Sequence, residues 1–502
     1  MKKKVYLNIA FTILCQMTSI ICGLIVPRLL LSTFGSEVNG LVSSLTQFLN
    51  YISLIEGGLG SVVLTALYEP LATNNNKKLN KVIMSANYFF RQIAFFFLGY
   101  VIILGCTYSF IVKSSYSWIF IFSLTIVLAI SLFIQFFFSI TYKLLLQADH
   151  KMYFVQTVQI IITILNLLIV FIVVKIYPNL HVLKLCSALL FVLQPIIYSR
   201  YIEKNYKIEK QNVLDKEVLK QRWDCFGQNI AFFIHNNTDS VVLSLFTNLK
   251  LVSVYSVYFL VINNIKNFFS SFSNAFTPLI GNALAKRDRQ KTLEILEIYE
   301  FIVFFVATII FGSCIYLLPN FILIYTSGIT DIEYYRPVFS CILILAEFVY
   351  CIREPYISVV YSAGRFKETA VSAYAEAIIN IVLSIILVLF IGLEGIAVGT
   401  LIGMTFRMIY QVVYISKNII TRPVVVFMKR LVVSILSILV SLFILYMWDW
   451  TKNISISKWI VNGIVSVLIF TVVSVVINYI FDNKVFVNIC RRIIRKKVAN
   501  VK

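Results

Sequence analysis

Apolar residues run through this chain in long blocks, separated by short polar connections. A helix that crosses the hydrocarbon core of a bilayer needs about 20 apolar residues. Windows of that kind fall at 7–31, 39–66, 83–110, 117–142, 153–176, 180–199, 224–247, 251–278, 295–318, 336–361, 369–391, 394–415, 430–448 and 459–481. The pattern predicts an all-α, polytopic membrane protein with 14 transmembrane helices. The longest polar stretch is Arg200–Arg222, so no separate soluble domain is expected. The apolar run that follows the basic start "MKKKVYLN" continues to Leu31. That exceeds the roughly 7–15 residues of a signal-peptide core, and it reads as a retained first helix.

Inside the spans the polar positions are not scattered. A lipid-facing helix is apolar all round, whereas these carry stripes at helical spacing. The eighth span aligns Asn263, Lys266, Asn267, Ser270, Asn274 and Thr277. The seventh aligns Gln228, His235 and Asp239, the tenth Ser340, Glu347, Glu354 and Ser358, and the eleventh Ser372, Glu376 and Asn380. Similar stripes mark the first span (Asn8, Thr12, Gln16, Ser19, Gly23) and the second (Ser43, Gln47, Asn50, Gly57, Ser61). Such stripes predict a large hydrated cavity; the competing explanation is glue between helices. In "SLIEGGLGS" (53–61), Glu56 lies off its stripe; either a kink or rotation at Gly57-Gly58 turns it inward, or it pairs with a neighbouring helix. Gly395, Gly399 and Gly403 repeat at the spacing that lets helix backbones approach closely.

The chain also repeats itself. "TFGSEVNGL" (33–41) and "LFTNLKLVSVY" (245–255) join consecutive spans in the same way. "QADHKMYF" (147–154) and "SAGRFKET" (362–369) are matching short loops, each entering a helix with an asparagine, Asn166 or Asn380. The offset of about 212–215 residues covers six helices, an even number, so the halves share one orientation. The expected organisation is an N-terminal lobe at 1–200, a basic cytoplasmic linker at 201–222 and a C-terminal lobe at 223–416. Two further spans follow at 430–481, peripheral and facing lipid, then a basic tail at 482–502. The two lobes are expected as pseudo-twofold six-helix bundles around a central cavity.

Charge fixes the orientation of this plan. The net charge of +21 is spread through the loops rather than gathered in one basic domain, which argues against nucleic acid. Alternate connections and the termini hold 32 Lys and Arg, against 6 in the other loops. The positive-inside rule then places both termini in the cytoplasm. Nine cysteines, mostly inside apolar segments and without metal spacing, read as small buried hydrophobes.

Ionisable residues inside a membrane are expensive and mark functional sites: an acid at the centre of a span costs about 2.5–3.5 kcal/mol even on the lenient scale. The candidate cations are Lys266 and Arg353, with Arg91 and Arg28 closer to span ends, where snorkelling competes. Arg407 is expected to snorkel inward. The candidate acids are Glu56, Asp239, Glu347, Glu354 and Glu376. Lys266 has only Ile262, Asn263, Phe269 and Ser270 a turn away, none able to neutralise it. It is expected to wait for an anion, the alternative being an ion pair with Glu347 or Glu376. His235 and Asp239 are one turn apart, but no third ligand accompanies them, so a proton or Na⁺ site is favoured over a metal. No nucleotide-binding loop and no loop large enough for a catalytic domain is present, so transport would draw on an ion or substrate gradient and no cofactor is expected.

Several stretches resemble bacterial polysaccharide transporters, the flippases of lipid-linked O-antigen and capsule oligosaccharides. They include "RLLLSTFGSEVNGL", "EGGLGSVVLTALYEPLA", "ANYFFRQIA", "TDSVVLSLF", "LIYTSGITDIEYYRP" and "SAGRFKETAVSAYAEAIINIVLSIIL" followed by "GLEGIAVGTLIG". The likeness runs over about residues 5–420 and points to the multidrug/oligosaccharidyl-lipid/polysaccharide (MOP) superfamily. It implies two six-helix lobes, alternating access, and transfer of an undecaprenyl-diphosphate-linked oligosaccharide across the bacterial cytoplasmic membrane, often against an ion. It assigns the diphosphate to Lys266, Arg91 and Arg28, and less firmly to Arg353, with Asn263, Asn267 and Asn274 lining the path. Ion coupling would fall first on Asp239 and Glu376, then on Glu347, Glu354, Glu56 and His235. A polysaccharide polymerase and a chain-length regulator are the implied partners. A lipid II flippase and a multidrug/cation antiporter of the same superfamily remain as alternatives.

Overall fold

Lipid offers the backbone no hydrogen-bond partners, so a chain this apolar satisfies its peptide groups within helices. The computed structural model describes residues 2–206, 237–447 and 455–481, and all their regular structure is helical. In chain order the helices are α1 (Lys2–Asn50), α2 (Ser53–Ala72), α3 (Asn76–Ile111), α4 (Trp118–Ile134), α5 (Ile140–Ala148), α6 (Met152–Ile176), α7 (Leu180–Phe191) and α8 (Leu193–Asn205). They continue with α9 (237–246), α10 (Leu249–Ala285), α11 (Arg289–Tyr325), α12 (Pro337–Ser362), α13 (Phe366–Ile391), α14 (Leu393–Asn418), α15 (Val425–Met447) and α16 (Ile456–Phe481). Every expected span coincides with a helix or helix pair except the seventh, most of which (224–236) lies outside the described residues.

The breaks fall elsewhere than the sequence suggests. The first loop is reduced to one residue: α1 is interrupted only at Gly35, whose φ of 80° suits glycine alone. The second span turns at Tyr51–Ile52, while α2 runs unbroken through Gly57 and Gly58. A single π-helical turn, Gln135–Ser139, separates α4 from α5.

Local geometry repeats as the sequence does. Asn74 (φ 51°) and Arg287 (φ 54°) make the same left-handed turn 213 positions apart. Each precedes an N-cap, Asn75 accepting from Lys78 N and Asp288 from Lys291 N. His150 (φ 55°) and Gly364 (φ 68°) do likewise 214 positions apart.

The chain divides into two compact units at Ser256–Val257, inside α10. In the first, Leu41, Leu45, Val63, Leu67, Ile83, Phe90, Phe97 and Leu124 form a buried core. The start of α10 and α9 belong here. Asn39 Nδ2 donates to Ser253 Oγ at 2.7 Å, Tyr108 Oη donates to Ser44 Oγ at 2.7 Å, and Ser44 and Ser244 share a hydrogen bond of 2.6 Å. A Cβ on Gly40 would collide with Leu249 O, so glycine is required at this crossing.

In the second unit α11 is the hub. The two peripheral helices α15 and α16 pack on α11 through specific contacts. Glu300 of α11, fully buried, receives Arg422 Nη2 at 2.6 Å and Nη1 at 2.9 Å, and Arg430 Nη1 lies 3.1 Å away. Phe470 of α16 fills the space over Gly312, and Trp459 Nε1 donates to Leu317 O at 3.1 Å. Their outer faces (Val432, Leu439 and Phe443; Ile464, Leu468 and Val472) remain exposed and apolar.

Candidate functional site

The charged centre of the second unit begins with glycines. A Cβ on Gly395 would sit 2.4 Å from Leu387 O, and one on Gly399 would sit 2.8 Å from Ser384 N. Their bare surfaces let α14 lie backbone-to-backbone on α13, as the spacing predicted. At the next step of the same stripe, Gly403 faces Glu376 O. Arg407, one turn on, thereby reaches Glu376 Oε2 at 2.5 Å. It does not snorkel to the surface as expected, because a buried acid stands within its reach.

Glu376 is shared. Arg353 Nη1 from α12 donates to its Oε1 at 2.8 Å, and both side chains are only 1% exposed. A buried carboxylate that meets two guanidiniums, one at each oxygen, is held by charge-assisted hydrogen bonds across three helices. Asn380, one turn along α13, donates from Nδ2 to Thr400 Oγ1 at 2.9 Å.

Lys266 of α10 is buried, and its Nζ lies 3.5 Å from Glu347 Oε1 of α12. The expectation of a cation without an acid partner is thus replaced by its stated alternative, the ion pair with Glu347. The Tyr350 ring lies between two cations, Lys266 Nζ at 4.7 Å and Arg353 Cζ at 4.9 Å from its centroid. Such contacts favour a cation removed from water. Glu354 is buried on the same helix, and Glu347 Oε2 has no hydrogen-bond partner among the described residues. The cluster thus gathers Lys266, Arg353 and Arg407 with Glu347, Glu354 and Glu376, three charges of each sign. Ser340, Ser358 and Ser372 complete the stripes of α12 and α13 and are fully buried. Within this unit the stripes act as contacts between helices, with Ser273 and Ser358 sharing a 2.9 Å hydrogen bond.

The other candidates are dispersed. Asn263 is half-buried and Asn267 exposed on α10. In the first unit, Asp239 is buried in α9 and accepts from Tyr255 Oη at 3.0 Å. Arg28 is half-buried on α1. Arg91 is exposed, its guanidinium 5.0 Å from the centroid of the Phe137 ring. The side chains of Glu56 and Asn274, and all of His235, lie outside the described residues. Among the described residues no cluster of three metal-ligating side chains occurs. Sequence reasoning missed the role of Arg407 and the Glu300 clamp, since each pair joins residues far apart in the chain.

Charged side chains are thus buried between the helices of a multi-pass helical membrane protein. Residues 225–386 match the MatE family model. Among solved structures, a lipid II flippase, MurJ, in an inward closed conformation matches with a TM-score of 0.74 and 18% identity, over 95% of this chain and 99% of that one. An inward-facing multidrug resistance MATE transporter of the MOP superfamily matches with a TM-score of 0.64 and 14% identity, over 79% and 93%. A MOP superfamily transporter from Pyrococcus furiosus, described for the reverse polarity of its binding pocket, matches with a TM-score of 0.54 and 12% identity, over 82% and 92%. No curated protein matches the sequence. The chain has the fold of MOP superfamily transporters, and the matched family and these neighbours are transporters rather than enzymes.

Proposed function

We propose that this protein is a flippase for an undecaprenyl-diphosphate-linked oligosaccharide, working by alternating access in the bacterial cytoplasmic membrane with both termini inside. The observation that carries the reading is the extent of the fold match. The lipid flippase covers 95% of the chain and the multidrug transporter 79%. The chain follows a transporter named for a lipid substrate over nearly its whole length, and the sequence motifs favour an oligosaccharide carrier. The evenly balanced second-unit cluster also fits poorly with an antiporter for organic cations, which needs an excess of acid in its path.

Asp239 is the leading candidate for handling a proton or Na⁺. Glu376 already answers to two arginines, and an ion would have to displace them. A polysaccharide polymerase and a chain-length regulator would act on the delivered glycan. Depleting the protein in its host should leave the lipid-linked oligosaccharide accumulated on the cytoplasmic face, with surface polysaccharide lost. Normal surface polysaccharide on depletion would reject the reading. A lipid II flippase is the second reading, favoured by the same fold match; depletion would then stop peptidoglycan synthesis instead.

A further inference from the structure

The first unit holds a cation that has no role in the account above. Lys184, one turn into α7, lines a half-open cavity of about 250 Å³ between α1, α4, α6 and α7. Lys184 makes no ion pair or hydrogen bond with any described residue. Of the five other polar side chains that line the same space, three are Asn50 from α1, Asn166 from α6 and Ser187 from α7. These too lack hydrogen-bond partners among the described residues, and Asn166 Oδ1 is buried. The neighbouring hydroxyls are already engaged on their own helix: Thr46 Oγ1 donates to Val42 O at 2.7 Å and Ser131 Oγ to Leu128 O at 3.4 Å.

A lysine in a membrane interior lowers its cost by pairing, by reaching water, or by meeting an anion. Among the described residues, no acid lines this cavity. An ammonium presents three donors, each amide NH₂ two and a serine hydroxyl one. These groups line one cavity from three helices, α1, α6 and α7. A multi-oxygen anion uses such a set better than a spherical one.

We infer that Lys184, with Asn50, Asn166 and Ser187, forms a phosphate-binding site inside the first unit. The oxyanion could be free inorganic phosphate or the phosphate of a lipid carrier. The site is separate from the Lys266–Glu347 cluster and does not depend on which substrate the protein transports.

The test uses the purified full-length chain in detergent. Thermal unfolding is followed in inorganic phosphate, in inorganic pyrophosphate, in farnesyl diphosphate and in chloride of equal ionic strength. At least one phosphate probe should raise the Tm in a saturable manner beyond the chloride control. The apparent Kd should weaken about tenfold in Lys184→Gln, as expected for a lost charge-assisted hydrogen bond, and much less in Lys184→Arg. A response to inorganic phosphate identifies a free anion site; a response to farnesyl diphosphate alone identifies a lipid phosphate. A wild-type chain that responds to no probe beyond chloride overturns the inference, and so does a Lys184→Gln chain that titrates like wild type. Should that variant fail to fold, acetylation of Lys184 in the unaltered chain decides. The responsive probe should protect it, and equal labelling with and without probe overturns the site.

Discussion

Lys266 and Glu347 stand 3.5 Å apart in the interior of the second unit, on helices that meet 81 residues apart in sequence. The pair changes what a substitution at Lys266 should do. Removing one partner of a buried pair leaves an uncompensated charge, at a cost of about 3–5 kcal/mol. Lys266→Ala should therefore lower thermal stability sharply, and Lys266→Ala combined with Glu347→Ala should recover part of the loss. Unfolding of the purified variants by fluorescence checks this. A stable, fully active Lys266→Ala protein would mean that the pair is neither structural nor functional.

Glu376 serves two arginines, so its loss should outweigh the loss of either. Glu376→Gln should destabilise by about 3 kcal/mol or more, by the same logic of stranded charge. Arg407→Ala should cost less, because Arg353 still balances the acid. A double-mutant cycle between Arg353 and Glu376 should show coupling; independent, additive effects would contradict the shared-carboxylate geometry.

The glycine stripe of α14 sets the height at which Arg407 meets Glu376. Gly399→Ala would place its Cβ 2.6 Å from Ser384 Oγ. Overpacking of that kind costs about 1–3 kcal/mol. Gly23→Ala on α1, where nothing lies within 4 Å of the added carbon, is the matched control and should leave stability unchanged. Melting temperatures of the two variants, compared with wild type, test the close approach directly.

Glu300 anchors the segment between α14 and α15 through Arg422 and Arg430. Glu300→Gln should loosen that anchor and expose residues 419–424 to protease, while the helices of the first unit keep their protection. Limited proteolysis with mass spectrometry reads the outcome. Unchanged cleavage would show that Phe470 and Trp459 suffice to hold α15 and α16.

Much of this architecture is legible in the chain because a bilayer imposes a simple rule. About 20 apolar residues make a span. The stripe of Gly395, Gly399 and Gly403 was legible for the same reason: small side chains at a fixed spacing have one main use in a membrane. The breaks were not. Gly57-Gly58 looked like a hinge, yet helical hydrogen bonds continue through it, and the interruption comes at Tyr51–Ile52, where no residue type announces it. Charge pairing was only half legible. The stripes showed which faces of α12 and α13 are polar, but not that those faces meet one another. Whether a cation snorkels or turns inward depends on an acid from a distant segment, as Arg407 and Glu376 show.

The most direct test of the flippase assignment is translocation in proteoliposomes. Purified protein would be reconstituted with a fluorescent undecaprenyl-diphosphate oligosaccharide on one leaflet, and its appearance on the other followed by quenching with an impermeant reagent. A flippase of this substrate gives transfer faster than in protein-free vesicles, abolished in Asp239→Asn if that acid couples the ion. Transfer no faster than in protein-free vesicles, alongside movement of a cationic drug or of lipid II by the same preparation, would contradict the assignment.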